Sequence, residues 1–375
     1  MSAASHAIPA ENLSRQYQEI RSEIAEAIEA VLASGKYTLG PAVAAFEAEF
    51  ASAVGVRHCV GMSSGTAALH LALEAMGVGS GNEVITQANT YVATAFAISY
   101  LRATPVFVDV EPEHGNLDVD KLEALIGPRT RAIIPVHIHG YPVDMDPLME
   151  VAERHNLRVL EDASHAAGAV YRGRKAGSLG HAAAISFYPA KVLGAYGDGG
   201  AVVTDDDELD HKLRVLRYMG QEVKHEHRII GHQERLDPVQ AAVLRVKLRH
   251  LEIWIEARRR IAGEYTRRLA GLPLRTPVES SHARHVYYMY TIHTSQRDAL
   301  AEHLSGLGIE TQRIYATPVP MQACYRHLGY RETDIPVASR LARELLCLPM
   351  FPELTDAEVD SVVDGVRGFF TKGGG

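Results

Sequence analysis

The run Ser186-Phe187-Tyr188-Pro189-Ala190-Lys191, continuing as Val192-Leu193-Gly194-Ala195-Tyr196-Gly197-Asp198-Gly199-Gly200, sets the reading of the whole chain. A hydroxyl, a lysine five residues on and a glycine-dense turn follow the apolar, strand-like run Ala183–Phe187. Lysine seldom sits beside an apolar strand end unless its amine has a partner. Gly194, Gly197, Gly199 and Gly200 let backbone pass close to something flat or bulky. An amine that must form an imine needs partial desolvation, so that a neutral, nucleophilic fraction exists. Lys191 is therefore read as a Schiff-base lysine. A merely solvated lysine beside a glycine turn is the competing reading, and the surrounding chain decides between them.

Outward from this stretch, apolar runs at His58–Met62, Glu83–Thr86, Pro105–Val108, Ala132–Val136, Arg158–Leu160 and Gly200–Thr204 read as further strands. Helical patterns at Ala67–Met76, Thr90–Tyr100, Val119–Leu125 and Pro147–His155 lie between most of them, and residues 11–35 and Ala42–Phe50 read as helices ahead of them. Strands alternating with helices over this length predict an α/β fold, with a mostly parallel sheet covered on both faces. Ligands gather at the carboxyl ends of the strands in such sheets. A long helix, Pro238–Arg260, then leads away. Beyond about Ala262 the order becomes helix, strand (Val286–Ile292), helix (Gln296–Leu307), strand (Glu310–Arg313) and a last helix from Thr355. The expected division is a large α/β domain over residues 1–250 and a smaller α+β C-terminal domain over 251–375. Gly373-Gly374-Gly375 reads as a disordered tail.

Composition narrows the function classes. Hydrophobic residues at 46% and charged residues at 22% are ordinary for a globular protein, and 375 residues suffice for two domains. A net charge of −8 leaves no footprint for nucleic acid. Cys59, Cys324 and Cys347 lack metal-ligand spacing, so no metal is expected and a reduced, cytoplasmic setting is. The first residues carry no signal-peptide core, and no apolar run reaches membrane-spanning length.

Three other motifs fall at strand ends. In Met62-Ser63-Ser64-Gly65-Thr66-Ala67-Ala68-Leu69 a strand passes through Gly-Thr into a helix, whose N-terminus suits a phosphate; an ordinary βα turn is the plain alternative. In Asn89-Thr90-Tyr91 an aromatic opens a helix, where it either stacks on a planar ring or packs. In Leu160-Glu161-Asp162-Ala163-Ser164-His165 an acid ends an apolar strand. Asp162 there suits a protonated pyridine nitrogen, and His165 either approaches the ring's phenolic oxygen or is a core histidine. Ser186 is available to the phosphate. Phosphate cradle, stacking aromatic, acid and imine lysine together match pyridoxal phosphate.

With these motifs the chain resembles the DegT/DnrJ/EryC1/StrS family of sugar aminotransferases, fold-type I enzymes dependent on pyridoxal phosphate. The resemblance rests on Ser64–Leu69, Glu161–His165, Ser186–Lys191, Gly197–Gly200, Arg235-Leu236-Asp237-Pro238-Val239-Gln240-Ala241-Ala242 and Leu348-Pro349-Met350-Phe351-Pro352, and runs from Ser34-Gly35-Lys36-Tyr37 to the last helix. It implies that Lys191 forms the imine and shuttles protons. It implies further that Asp162 holds the ring nitrogen, that Tyr91 stacks on the ring, and that Gly65, Thr66, Ser186 and the Ala67 N–H hold the phosphate. His165 stands where many relatives carry glutamine and some histidine. The family's homodimers share active sites, through a segment in which an Asn commonly contacts the partner's phosphate. Here that segment is Gly231-His232-Gln233-Glu234-Arg235, so Gln233 stands in for Asn on a longer arm. Lys224, His225 and His227 just ahead suit a substrate diphosphate or form a surface loop, and Arg313 and Tyr315 are candidates for the same cleft.

The implied activity is amino transfer from glutamate or glutamine to a C3 or C4 ketone of a nucleotide-linked deoxy sugar. Relatives that dehydrate sugars carry histidine in place of the imine lysine, and Lys191 argues against that chemistry. A keto-inositol acceptor and a non-catalytic, cofactor-binding sugar sensor are the alternatives. A nucleotide-binding dehydrogenase is set aside, since no Gly-x-Gly-x-x-Gly follows the first strand.

Overall fold

The computed structural model describes residues 7–372. A central sheet contains β1 (His58–Met62), β2 (Glu83–Gln87), β3 (Thr104–Val108), β4 (Thr130–Ile134), β5 (Arg158–Asp162), β6 (Ala182–Ser186) and β7 (Gly200–Thr204), in the order β1-β7-β6-β5-β4-β2-β3. β7 runs antiparallel to both neighbours, and every other pairing is parallel. Strands covered on both faces need apolar residues at successive positions rather than in alternation. β6 reads Ala-Ala-Ala-Ile-Ser and β7 reads Gly-Ala-Val-Val-Thr, and of these residues only Ser186 is not fully buried. Because β6 and β7 are antiparallel, the connecting residues 187–199 stay at the carboxyl end of β6. Lys191 is fixed to that edge of the sheet.

The covering helices are α1 (Leu13–Ser34), α2 (Pro41–Val54), α3 (Gly65–Ala75), α4 (Val92–Tyr100), α5 (Met145–Arg154), α6 (Asp207–Arg217) and α7 (Pro238–Leu269). Val202 shares an apolar cluster with Leu69 and Leu73 of α3 and Leu213 of α6, while its neighbour Val203 belongs to another cluster with Phe50 of α2 and Leu244 of α7. Leu148 and Val151 of α5 lie on Ile133 and Val159. Ends are locally encoded. The Asn12 side chain accepts the Arg15 N–H at 3.3 Å to start α1, and Gly35, at φ 64°, ends it.

The C-terminal part pairs β8 (Tyr290–His293) with β9 (Leu345–Leu348) antiparallel, beside α8 (Arg297–Gly306), α9 (Pro336–Glu344) and α10 (Asp356–Lys372). Its core joins Tyr290, Ile292, Leu304, Leu346 and Val362 to Ile261 and Tyr265 from the second half of α7. Ile8 enters the same core and bridges to Ile309, so the chain's start belongs with its end. The division expected at 250/251 falls inside α7, which continues unbroken past it.

The strand expected at Val286–Ile292 begins only at Tyr290, and two other expected elements differ in kind. Val119–Leu125 forms two 3-10 turns, since Leu122 is its one fully buried side chain and no apolar helical face develops. Glu310–Arg313 is not a strand: Ile309 bridges Ile8 and Gln312 bridges Cys347, so no single partner builds a ladder. Gly373–Gly375 lie outside the described residues. Among the described residues no helix is long and apolar enough to cross a membrane.

Candidate active site

The segments that follow β1, β2, β5 and β6 meet around a cavity of 470 Å³ at the carboxyl edge of the sheet. Another cavity, of 570 Å³, is lined by His114, His139, Arg275 and His293 and touches none of the four motifs.

Lys191 lies in the turn after β6 and donates its backbone N–H to the Tyr188 carbonyl at 2.9 Å. A Cβ at position 194 would stand 2.1 Å from the Pro189 carbonyl oxygen, so only glycine lets the chain fold back over this turn. The Lys191 amine sits 4.4 Å from the centre of the Tyr288 ring. Burial, partly offset by the Asp162 and Glu11 carboxylates, brings its pKa from 10.5 down to about 7. A neutral nucleophile is thus present near neutrality.

Asp162 and Glu161 end the same strand and point to opposite faces, as strand geometry requires. Asp162 faces the cavity; its Oδ2 accepts from Thr94 Oγ1 at 2.8 Å and its Oδ1 from the Ser164 N–H at 3.1 Å. Glu161 is fully buried behind the sheet, where it accepts from the N–H groups of Gly177, Leu179 and Gly180 and pairs with His137 Nε2 at 2.8 Å. One acid is free for chemistry. The other holds the fold.

His165 Nδ1 accepts the His139 N–H at 3.2 Å. Burial first, then the nearby Lys191 and His139, hold its pKa well below 6.5, so the ring is neutral and its proton is on Nε2. That Nε2–H donates to the Tyr315 hydroxyl oxygen at 3.3 Å. Burial likewise lowers His139 to about 4, and its Nε2 donates to the Ile314 carbonyl at 2.7 Å.

At the start of α3, Gly65 approaches Ser186 so closely that a Cβ would lie 2.6 Å from the Ser186 Cβ. Gly65, Thr66 and Ser186 line the cavity beside the positive end of the helix. The Ala67 N–H is donated to Ser64 Oγ, the helix cap, at 3.1 Å. Tyr91 is about half exposed, and its ring stacks on that of Tyr315 with centroids 5.4 Å apart.

Arg313 does not line the cavity; it pairs with Asp298 on α8 at 3.0 Å. Tyr315, two residues on, does line it. Lys224, His225 and His227 lie on an exposed hairpin, Gln221–Val223 with Glu226–His227, away from this chain's cavity, and Gln233 is exposed as well. Thr94, Tyr288 and His139 were not expected at the site. Thr94 lies in the first turn of α4, and its hydroxyl meets that of Thr90, just ahead of the helix, at 2.8 Å; no local signal marks the other two.

The residues present fit pyridoxal phosphate. The cavity offers a desolvated lysine, a pinned carboxylate and, at a helix start, a glycine whose Cβ would close the space over Ser186. The model of the DegT/DnrJ/EryC1/StrS aminotransferase family matches residues 18–367. The dTDP-3-amino-3,4,6-trideoxy-alpha-D-glucose transaminase of Streptomyces venezuelae is 45% identical over 96% of this chain and 95% of its own length. A pleiotropic regulatory protein of Geobacillus stearothermophilus is 43% identical over 97% of this chain and 98% of its own. The crystal structure of S. venezuelae DesV in complex with a ketimine intermediate superposes with a TM-score of 0.95 at 45% identity, covering 97% of this chain and 98% of that one. The chain is a member of the DegT/DnrJ/EryC1/StrS aminotransferase family, and so a pyridoxal-phosphate-dependent transaminase.

Proposed function

We propose that the protein moves the amino group of glutamate or glutamine onto the C3 ketone of a nucleotide-linked deoxy sugar, in cytoplasmic amino-sugar biosynthesis. The observation that carries the reading is the Lys191 amine, brought to about 7 by burial and sharing one cavity with Asp162, Ser186 and Gly65. The 3-amino group in the name of the S. venezuelae relative supports C3 over C4.

Bound pyridoxal phosphate supplies an electron sink and a carbonyl that carries the amino group from donor to acceptor. Lys191 Nζ, its pKa lowered by burial, takes up and returns the proton at the reacting carbon. Asp162, held at both oxygens, presents fixed negative charge for the ring nitrogen. Gly65, Thr66 and Ser186 would hold the phosphate at the start of α3. His165 donates from Nε2 and, with Tyr288 and Tyr315, walls the cavity against water.

Two copies of the chain are proposed to share their sites. Residues 222–230 are exposed without a break, and Ile230, at 92%, is a large aliphatic side chain with nothing over it in this chain. A second copy laid on this hairpin covers Ile230. Lys224, His225 and His227 then meet the substrate diphosphate, and Gln233 reaches the partner's phosphate pocket.

A sensing role, raised by the name of the Geobacillus relative, is less well supported, because a sensor has no use for a desolvated proton shuttle. The test is a half-reaction. Enzyme loaded with pyridoxamine phosphate is mixed separately with a dTDP-linked 3-keto-6-deoxy sugar, its 4-keto isomer and a keto-inositol, and the visible absorbance of the cofactor is followed. The expected result is a response to the 3-keto sugar. Response to the inositol alone moves the protein to the cyclitol branch, and silence with all three returns the sensor.

A further inference from the structure

Outside the active cavity, α3 carries His70 and Glu74 one turn apart on one face, beside His232 of the 231–235 segment. One imidazole nitrogen from each histidine and one Glu74 carboxylate oxygen all lie within 4.8 Å of one another. We propose that His70, Glu74 and His232 bind a zinc ion that clamps residues 231–235 onto α3.

The donor chemistry is that of zinc. Two imidazoles and a carboxylate are ligands it takes at about 2.0–2.2 Å, leaving a fourth, tetrahedral position for water. Tetrahedral ligands at that bond length stand about 3.3 Å apart. Glu74 Oε2 is 4.0 Å from His70 Nε2 and 2.8 Å from His232 Nε2, values on either side of this spacing. Small side-chain rotations therefore close the triangle. The two histidine rings stand edge to face, 5.1 Å between centroids, which leaves their nitrogens free to converge. All three side chains are half-buried. Glu74 pairs with no lysine or arginine among the described residues, so no resident cation competes for its carboxylate.

The third ligand is already positioned. The His232 N–H is donated to the Leu216 carbonyl at 2.7 Å, and its own carbonyl accepts the Met219 N–H at 2.8 Å. Ser63, just before α3, donates its hydroxyl to Glu234 in the same segment. Ordering cost is thus largely met before metal arrives. No short-range motif announces the site, because His70 and His232 are far apart in the chain. The site is a structural clamp, next to Gln233 on one side and the phosphate-binding turn of α3 on the other.

The test is Zn²⁺ binding to the holoenzyme, read by equilibrium dialysis with elemental analysis and by the metal-induced rise in melting temperature. The parent is compared with His70→Gln and His232→Gln, each checked for normal cofactor content, and with Mg²⁺ as the control ion. We expect one zinc per subunit, with affinity lowered by more than about 100-fold in either variant, the upper end of what losing an outer-shell partner costs. The melting shift should vanish in both variants, while Mg²⁺ gives none. No stoichiometric zinc in the parent, or binding that both variants retain, would overturn the site. If one variant fails to hold cofactor, the other decides by the same criterion.

Discussion

Replacing Asp162 with asparagine should make Lys191 easier to deprotonate while making the enzyme worse. The carboxylate is the largest influence holding the Lys191 amine protonated against its burial. Lys191 and Asp162 line one cavity of 470 Å³, which puts their separation on the order of 10 Å. At an effective dielectric constant of about 20, opposite charges about 10 Å apart interact by about 1.7 kcal/mol, or about one pH unit. The Lys191 midpoint should therefore fall from about 7 toward about 6 in Asp162→Asn. The assay mixes apoenzyme with pyridoxal phosphate across a pH series and follows the growth of visible absorbance, which needs the neutral amine; a free lysine analogue, titrating near 10.4, is the reference. Turnover of the same variant should drop, because nothing then holds the ring nitrogen. A midpoint equal to or above that of the parent would refute the electrostatic reasoning, whatever happened to turnover.

The same burial predicts a stability signature in the apoenzyme. With a folded pKa of about 7 against 10.5 unfolded, the unfolded chain binds more protons between those values, so stability rises with pH there. From about pH 7 to 9 the gain should be about 2–3 kcal/mol, absent in Lys191→Met, as checked by denaturant unfolding at each pH. Gly65→Ala drives a Cβ into Ser186 and should cost about 1–3 kcal/mol of cofactor affinity, measured as a raised dissociation constant with secondary structure intact. Glu161→Ala leaves the N–H groups of Gly177, Leu179 and Gly180 and the ring of His137 without their acceptor and should destabilise the fold by about 3–5 kcal/mol, seen as a lowered denaturation midpoint.

Much of this was legible in the chain because parallel strands send their carboxyl ends to one edge. The motifs ending β1, β5 and β6 had to converge there once the alternation of strands and helices was recognised. What stayed hidden depends on distant packing. Tyr288 reaches Lys191 from a segment nearly a hundred residues on, and nothing in Tyr287-Tyr288-Met289 tells which ring faces the cavity. Arg313 and Tyr315 looked equivalent, yet Asp298 on α8 captures the arginine and leaves the tyrosine to the site. The sequence motif does not tell that the Ala67 N–H is donated to the serine that caps the helix. Leu345–Leu348 is a short, wholly buried apolar run, and periodicity alone does not separate such a strand from a helix segment.

The central claim is that this chain passes an amino group to a nucleotide sugar through Lys191. Its most direct test is to incubate the holoenzyme with ¹⁵N-glutamate, or ¹⁵N-amino-labelled glutamine, and a dTDP-linked 3-keto-6-deoxy sugar, then weigh the nucleotide sugar by mass spectrometry. The expected result is one ¹⁵N per sugar with the parent protein and none with Lys191→Ala. An unlabelled sugar with the parent and both donors, or equal labelling by the variant, would contradict the account.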